Sequence, residues 1–328
     1  MEKLSKVGLS ELRDARHKLL TLRRAAFPIN IKNSASQQAI NKLLESDLTK
    51  AGFDSDKFGA LIKWSDAEAR LRIANLRAEA DRQSPAVVDT FHRTVENLND
   101  RLKHLKALAP PDASTQRFLL DTATQISATS GITLDSTHIG PGPENNWAKF
   151  SYSARVGEDS LPFGDPFSIP GGEVVSFGFL WQNPNDRYAV VNVNGYIVLN
   201  GFCSAFSEGG LSSNSVSFVS VIASLFIHEL WNEPPTSPVE QFGQSQRALD
   251  LSAESAGILQ DSHIDARPLF RGFDLGYSQF IMPPKGRAMF EVACSLSWLM
   301  KDGGQSGYDF STSGRQVLSP GVLIGVLP

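Results

Sequence analysis

The chain has 328 residues, 41% of them hydrophobic and 20% charged, with a formal net charge of −4, an ordinary composition for a globular protein long enough to build two cores. It contains no run of 18 apolar residues and no apolar stretch in the opening MEKLSKVGLSELRD. That predicts neither a membrane span nor a signal peptide, and hence a cytoplasmic protein, with release by lysis or a non-classical route left open.

The charge is unevenly spread. Residues 1–108 hold 20 Lys/Arg against 14 Asp/Glu, whereas residues 109–328 hold 11 against 21. All five Tyr and four of the five Trp lie in the second part. Such a break predicts two domains of different class, a helical assembly or docking domain over 1–108 and a β-sandwich over 115–328.

Four helices are predicted in the first part. Leu12, Ala15, Leu19, Leu22 and Ala26 recur at helical spacing over 10–26, and Ile40, Leu43, Leu44 and Leu48 over 34–51. A third begins at Asp54 or Ser55 and runs to about Arg82, and Ser84-Pro85 reads as the N-cap and first turn of a fourth. In that fourth segment Phe91, Val95, Leu98, Leu102 and Leu105 alternate at spacings of four and three, which is a heptad seam. Two to three heptads are short for a free coiled coil, so the seam is read as part of an antiparallel bundle, with an oligomerisation stalk as the alternative.

Arg13, Arg16, Lys18, Arg23 and Arg24 make the first segment basic, but Glu11 and Asp14 interrupt the cluster and no aromatic residue lies among the charges. A solvated face, or docking on an acidic partner, fits better than a nucleic-acid surface. Asp54-Ser55-Asp56 resembles the start of a calcium loop, yet Phe58 and Ser65 stand where ligands are needed.

Ala109-Pro110-Pro111-Asp112-Ala113-Ser114 is a stiff Pro-rich boundary, 109–114. Beyond it, eight to ten strands joined by Gly, Pro and Asn loops predict an antiparallel sandwich resembling a jelly roll. Strands are expected at 117–129, 130–140, 147–156, 215–231, 247–251, 268–282, 287–300 and 316–327. The clearest stretch is Glu173–Cys203. Val175, Phe177, Phe179 and Trp181 alternate with smaller residues, and Asn183-Pro184-Asn185-Asp186 breaks the run. Asn194-Gly195 then reads as a hairpin turn and Asn200-Gly201 as a further bend, making a meander. Ser204–Asn214 reads as a Gly/Ser-rich loop.

Cys203 and Cys294 are expected as buried free thiols, with one cross-sandwich disulfide as the alternative. Chemistry-bearing motifs are sparse. His228-Glu229 lacks the second His of a zinc-protease helix, and His263 and Asp265 could meet His228 in a metal triad only by chance of folding. Ser306 and Cys203 fit no nucleophile pattern, and no phosphate-binding Gly loop occurs. No catalytic residue, metal or cofactor is implied, although carboxylate pairs of glycosidase type leave no signature in spacing.

Trp147 and Trp231 each adjoin a rigid loop and are the candidate ligand-stacking residues, against core burial. The leading expectation is a non-enzymatic structural or interaction protein, forming a homo-oligomer or binding a protein partner through its helical part. The alternatives are a carbohydrate-binding, lectin-like protein and, further off, a toxin-like protein whose sandwich targets a membrane-active helical part. An enzyme with an unrecognised site stands last.

Overall fold

The computed structural model describes residues 55–107, 116–142, 144–155, 169–231 and 239–327. The segments predicted as helices at 10–26 and 34–51, and the 109–114 boundary, lie outside them.

The two remaining helical segments are one. Helix α1 (Ser55–Ala107) runs for 53 residues through Pro85. A helix-interior proline loses one backbone hydrogen bond and ordinarily costs about 3 kcal/mol. Here the turn leading into Pro85 is held by the sandwich. Asp81 Oδ1 lies 2.7 Å from Arg315 Nη2, and Ser84 Oγ donates to the Ser313 carbonyl. The local start signal is overridden by a tertiary anchor. A helical bundle or coiled coil is therefore not what this chain builds among its described residues: a single helix lies on a sheet.

Among the described residues twelve strands follow: β1 (Gln116–Leu120), β2 (Gln125–Ala128), β3 (Leu134–His138), β4 (Trp147–Arg155), β5 (Ile169–Gln182), β6 (Ala189–Ser207), β7 (Gly210–Glu229), β8 (Val239–Gln260), β9 (His263–Met282), β10 (Arg287–Lys301), β11 (Gln305–Phe310) and β12 (Gln316–Leu327). They form two sheets. In the first the order is β1-β12-β4-β11-β6-β9, with β3 on β4 and β12 also on β6; in the second it is β2-β5-β10-β7-β8. The central pairings are nested: β4 with β11, β5 with β10, β6 with β9 and β7 with β8, all antiparallel. A long hairpin wrapped over two facing sheets has this order, which is that of a jelly roll.

The inward faces make the main core. Phe177 and Phe179 of β5, Val219 to Ile227 of β7 at alternate positions, and Phe290 and Val292 of β10 meet Ile197 and Leu199 of β6 and Phe310 of β11. Cys203 and Cys294 both lie here, buried and free, and burial pushes both thiols well above their ordinary pKa.

The expected meander is corrected. The strand β6 passes straight through Asn194-Gly195 and Asn200-Gly201, pairing with β9 from Val193 to Ser207 without a break. These glycines mark close approach instead of turns. A Cβ at Gly195 would stand 2.7 Å from Val292 Cγ2, and one at Gly201 2.5 Å from Phe310 Cε1. Asn194 Nδ2 donates to Asp274 Oδ1 at 3.1 Å and Asn200 Nδ2 to the Gly314 carbonyl at 3.3 Å, so the turn-forming amides are engaged elsewhere. The bend at Asn183–Asp186 is real, but it carries the chain from one sheet to the other. The Gly/Ser stretch 204–214 is not a loop either, since β6 and β7 occupy most of it. Gly201→Ala is expected to destabilise the fold by about 1–3 kcal/mol through overpacking, read as a lowered urea midpoint. The usual entropic gain of Gly→Ala, at most about 1 kcal/mol, works the other way.

From Tyr196 onward β6 is buried on both faces, and α1 explains why. Arg70 sits over the Phe206 ring at 4.7 Å and Arg77 over Phe202 at 5.4 Å. Further along α1, Phe91 and Val95 pack on Val198 and Leu318, and Arg101 Nη2 lies 3.5 Å from Asp274 Oδ2. The helix thus runs antiparallel to β6 across the outer face of the first sheet.

Candidate functional site

Among the described residues no such helix lies over the β10-β7-β8 end of the second sheet's outer face. On β7 the alternation that buries Val219 and Val221 turns Phe218 and Ser220 outward. The partner strands follow the same period. Leu299 and Ser297 of β10 pair with Phe218 and Ser220, and Ser252 and Asp250 of β8 pair with them on the other side. Two rows therefore cross three strands, Leu299–Phe218–Ser252 and Ser297–Ser220–Asp250. They stand two residues apart along the strand, about 6.8 Å at ~3.4 Å per residue.

These residues floor a cleft of ≈ 540 Å³ whose wall is Asp265 and Arg267 of β9, a size ordinary for a small-ligand site. Phe218 is 44% and Leu299 39% exposed, so two large apolar side chains face solvent in a concave place. The polar groups around them are preset. Ser220 Oγ donates to Asp250 Oδ1 at 2.7 Å, and Arg247 Nη1 to Asp250 Oδ2 at 3.0 Å. On the wall, Arg267 Nε and Nη2 donate to the two oxygens of Asp265 at 3.0 and 3.1 Å, and the Ser252 backbone N–H reaches Asp265 Oδ2 at 3.3 Å. A bidentate guanidinium–carboxylate pair fixes both groups in one plane. Two Arg and two Asp cancel in charge, so the cleft offers donors and acceptors with no strong potential of either sign.

The expected stacking residues sit elsewhere. Trp147 starts β4 and is partly buried beside Phe91, Val95, Val198 and Leu318. Its ring stacks on His138 at 5.9 Å and carries Lys149 Nζ at 5.3 Å. Trp231, just beyond β7, packs on Phe280 of the main core at 5.6 Å. The structure brings neither to the other nor to the cleft. Trp298, at the cleft margin, turns its ring inward onto Tyr152 at 5.1 Å. Of the helical seam, Phe91, Val95 and Leu102 are buried, Leu98 is partly buried, and the Leu105 side chain lies outside the described ones.

The histidines do not converge. His228 Nε2 is hydrogen-bonded to Glu291 Oε2 at 2.7 Å within the second sheet, while Asp265 is held by Arg267. Among the described residues no group of three His, Cys, Asp or Glu is placed to hold a metal ion, and no helix is long and apolar enough to cross a membrane.

By sequence, the chain matches no protein-family model and no curated protein. By structure it has distant likenesses. An aminopeptidase from the marine sediment archaeon Thaumarchaeota archaeon is 12% identical with a TM-score of 0.24, over 63% of this chain and 37% of that one. TmCBM61 in complex with beta-1,4-galactotriose is 9% identical with a TM-score of 0.19, over 56% and 83%. TmCBM27, a carbohydrate-binding module that recognises mannan, is 7% identical with a TM-score of 0.23, over 65% and 96%. Likenesses this remote decide neither the fold nor the ligand.

Phe218, Leu299, Arg247, Asp250, Ser252 and Arg267 had no sequence motif to flag them; Asp265 stood out only beside His263. The available signal was local alternation, as in Asp265-Ala266-Arg267; Arg247 and Asp250 stand three apart and come together through a register shift on β8 between Arg247 and Leu249. Alternation tells which residues share a face, but the register between strands decides which of them meet.

Proposed function

We propose that the protein is a non-catalytic recognition protein that binds a neutral, polyhydroxylated ligand, a glycan, in the cleft on the outer face of the second sheet. The observation that carries this reading is the pairing of an exposed Phe218 with carboxylates already oriented by guanidinium partners. Sugar rings have apolar C–H faces and hydroxylated edges, so they need a flat apolar surface next to groups that donate and accept at once. Asp250 and Asp265 keep free lone pairs after their Arg and Ser contacts, and both guanidiniums keep unused donors. Cancelled charge speaks against a phosphate-rich or strongly cationic ligand, including nucleic acid.

The test is a glycan array of neutral and acidic structures, followed by titration calorimetry on the hits. Neutral glycans are expected to bind and Phe218→Ala to weaken them about 10- to 100-fold, the loss of roughly 1.5–3 kcal/mol for an aromatic side chain that the ligand covers. Its unfolding midpoint should stay near that of the parent because the ring is half exposed. An array with no neutral hits, or an affinity untouched by the substitution, overturns the reading.

A further inference from the structure

We infer that the cleft takes a glycan chain of at least two residues, laid across the strands with its ring faces on Leu299 and Phe218 and its hydroxyl edge along Ser297, Ser220 and Asp250. This rests on the proposed glycan-binding role and adds the ligand's length and direction.

Strand register sets the two rows. Leu299 of β10 and Phe218 of β7 are direct cross-strand neighbours, so their backbones lie about 4.8 Å apart. They offer two successive apolar platforms, both exposed. Ser297, Ser220 and Asp250 are the parallel row on the same strands, about 6.8 Å away. An apolar line beside a polar line, both perpendicular to the strands, matches a linear chain of pyranoses whose faces and edges point in two directions. A single ring could use Phe218 and the Ser220–Asp250 corner, but it would leave Leu299 and Ser297 uncovered. Next to Ser252, whose N–H reaches Asp265 Oδ2 at 3.3 Å, Asp265 and Arg267 of β9 line the same cleft.

The experiment uses the full chain and four ladders of neutral oligosaccharides, the malto-, cello-, manno- and galacto- series, each from one to six units. Calorimetric affinity in at least one ladder should rise about tenfold or more between the mono- and the trisaccharide. Leu299→Ala should erase most of that rise, whereas Phe218→Ala weakens every length. Leu299 is 39% exposed, so the variant is expected to fold, and its unfolding midpoint confirms that. If monosaccharides bind as tightly as trisaccharides, or Leu299→Ala leaves trisaccharide affinity intact, the extended site is wrong while glycan binding stands. If no ladder binds at all, both fall.

Discussion

Arg315→Ala is expected to destabilise the protein by about 3–5 kcal/mol, the usual cost of removing one partner from a buried ion pair. The Arg315 and Asp309 side chains are each 4% exposed and lie 3.2 Å apart, and Arg315 also reaches Asp81 of α1. Asp309 gathers further donors: the Ser311 and Thr312 backbone N–H groups at 3.0 and 3.1 Å and Thr312 Oγ1 at 2.6 Å. Burial alone would raise its pKa, but these hydrogen bonds, with the Arg315 charge, outweigh it and hold the carboxyl below the usual carboxylate range. The sign of the pH dependence follows. A depressed acid contributes stability that is complete above its unfolded pKa of about 3.9 and disappears as pH falls through the lower folded value. Urea midpoints measured from pH 6 to pH 2 should therefore fall most steeply below about pH 4, and Asp309→Asn should flatten that limb while lowering the plateau. A plateau unchanged by Arg315→Ala would mean that the network does not hold α1 to the sandwich.

Phe91→Ala should cost a comparable amount, about 3–5 kcal/mol for a buried phenylalanine. Phe91 is 3% exposed and packs with Val95, Val198 and Leu318, its ring 6.2 Å from that of Phe270. The expected readout is early loss of helical ellipticity at 222 nm on urea titration, with a midpoint independent of protein concentration. A midpoint that moves with concentration would place the seam between molecules instead of against the chain's own sheet.

The sequence made some elements plain and hid others for physical reasons. Strands β10 and β12 lie close to their predicted bounds because each is an apolar run set off by turn residues, Pro283-Pro284-Lys285-Gly286 before β10 and Asp302-Gly303-Gly304 after it, and Ser311-Thr312-Ser313-Gly314 before β12. The sandwich itself was likewise legible. Two local rules failed where packing outvoted them. Ser84-Pro85 looked like a helix start, but Asp81 and Ser84 are tied to the turn at 313–315, and the helix continues. Asn194-Gly195 looked like a hairpin, but the missing Cβ is needed for Val292 to approach, and the strand continues. Among the described residues, Phe91 and Val95 of the heptad seam are buried on Val198 and Leu318 of the first sheet and not on another helix; spacing shows that a face needs cover and not whether helix or sheet provides it. The cleft was illegible for a related reason: Leu299, Phe218 and Asp250 come from three strands, and nothing within any one of them announces the others.

The nested pairing of the strands has a consequence for biogenesis. Its outermost pair joins Phe150 to Phe310, so partners are separated by most of the domain, and such long-range closure makes folding slow. Strand β12, which abuts β1, β4 and β6, supplies Leu318 to the ground on which α1 rests. A nascent chain on the ribosome thus carries its helix long before there is anywhere to lay it, and its greasy stripe must be shielded by a chaperone or by transient contacts until translation has passed β12.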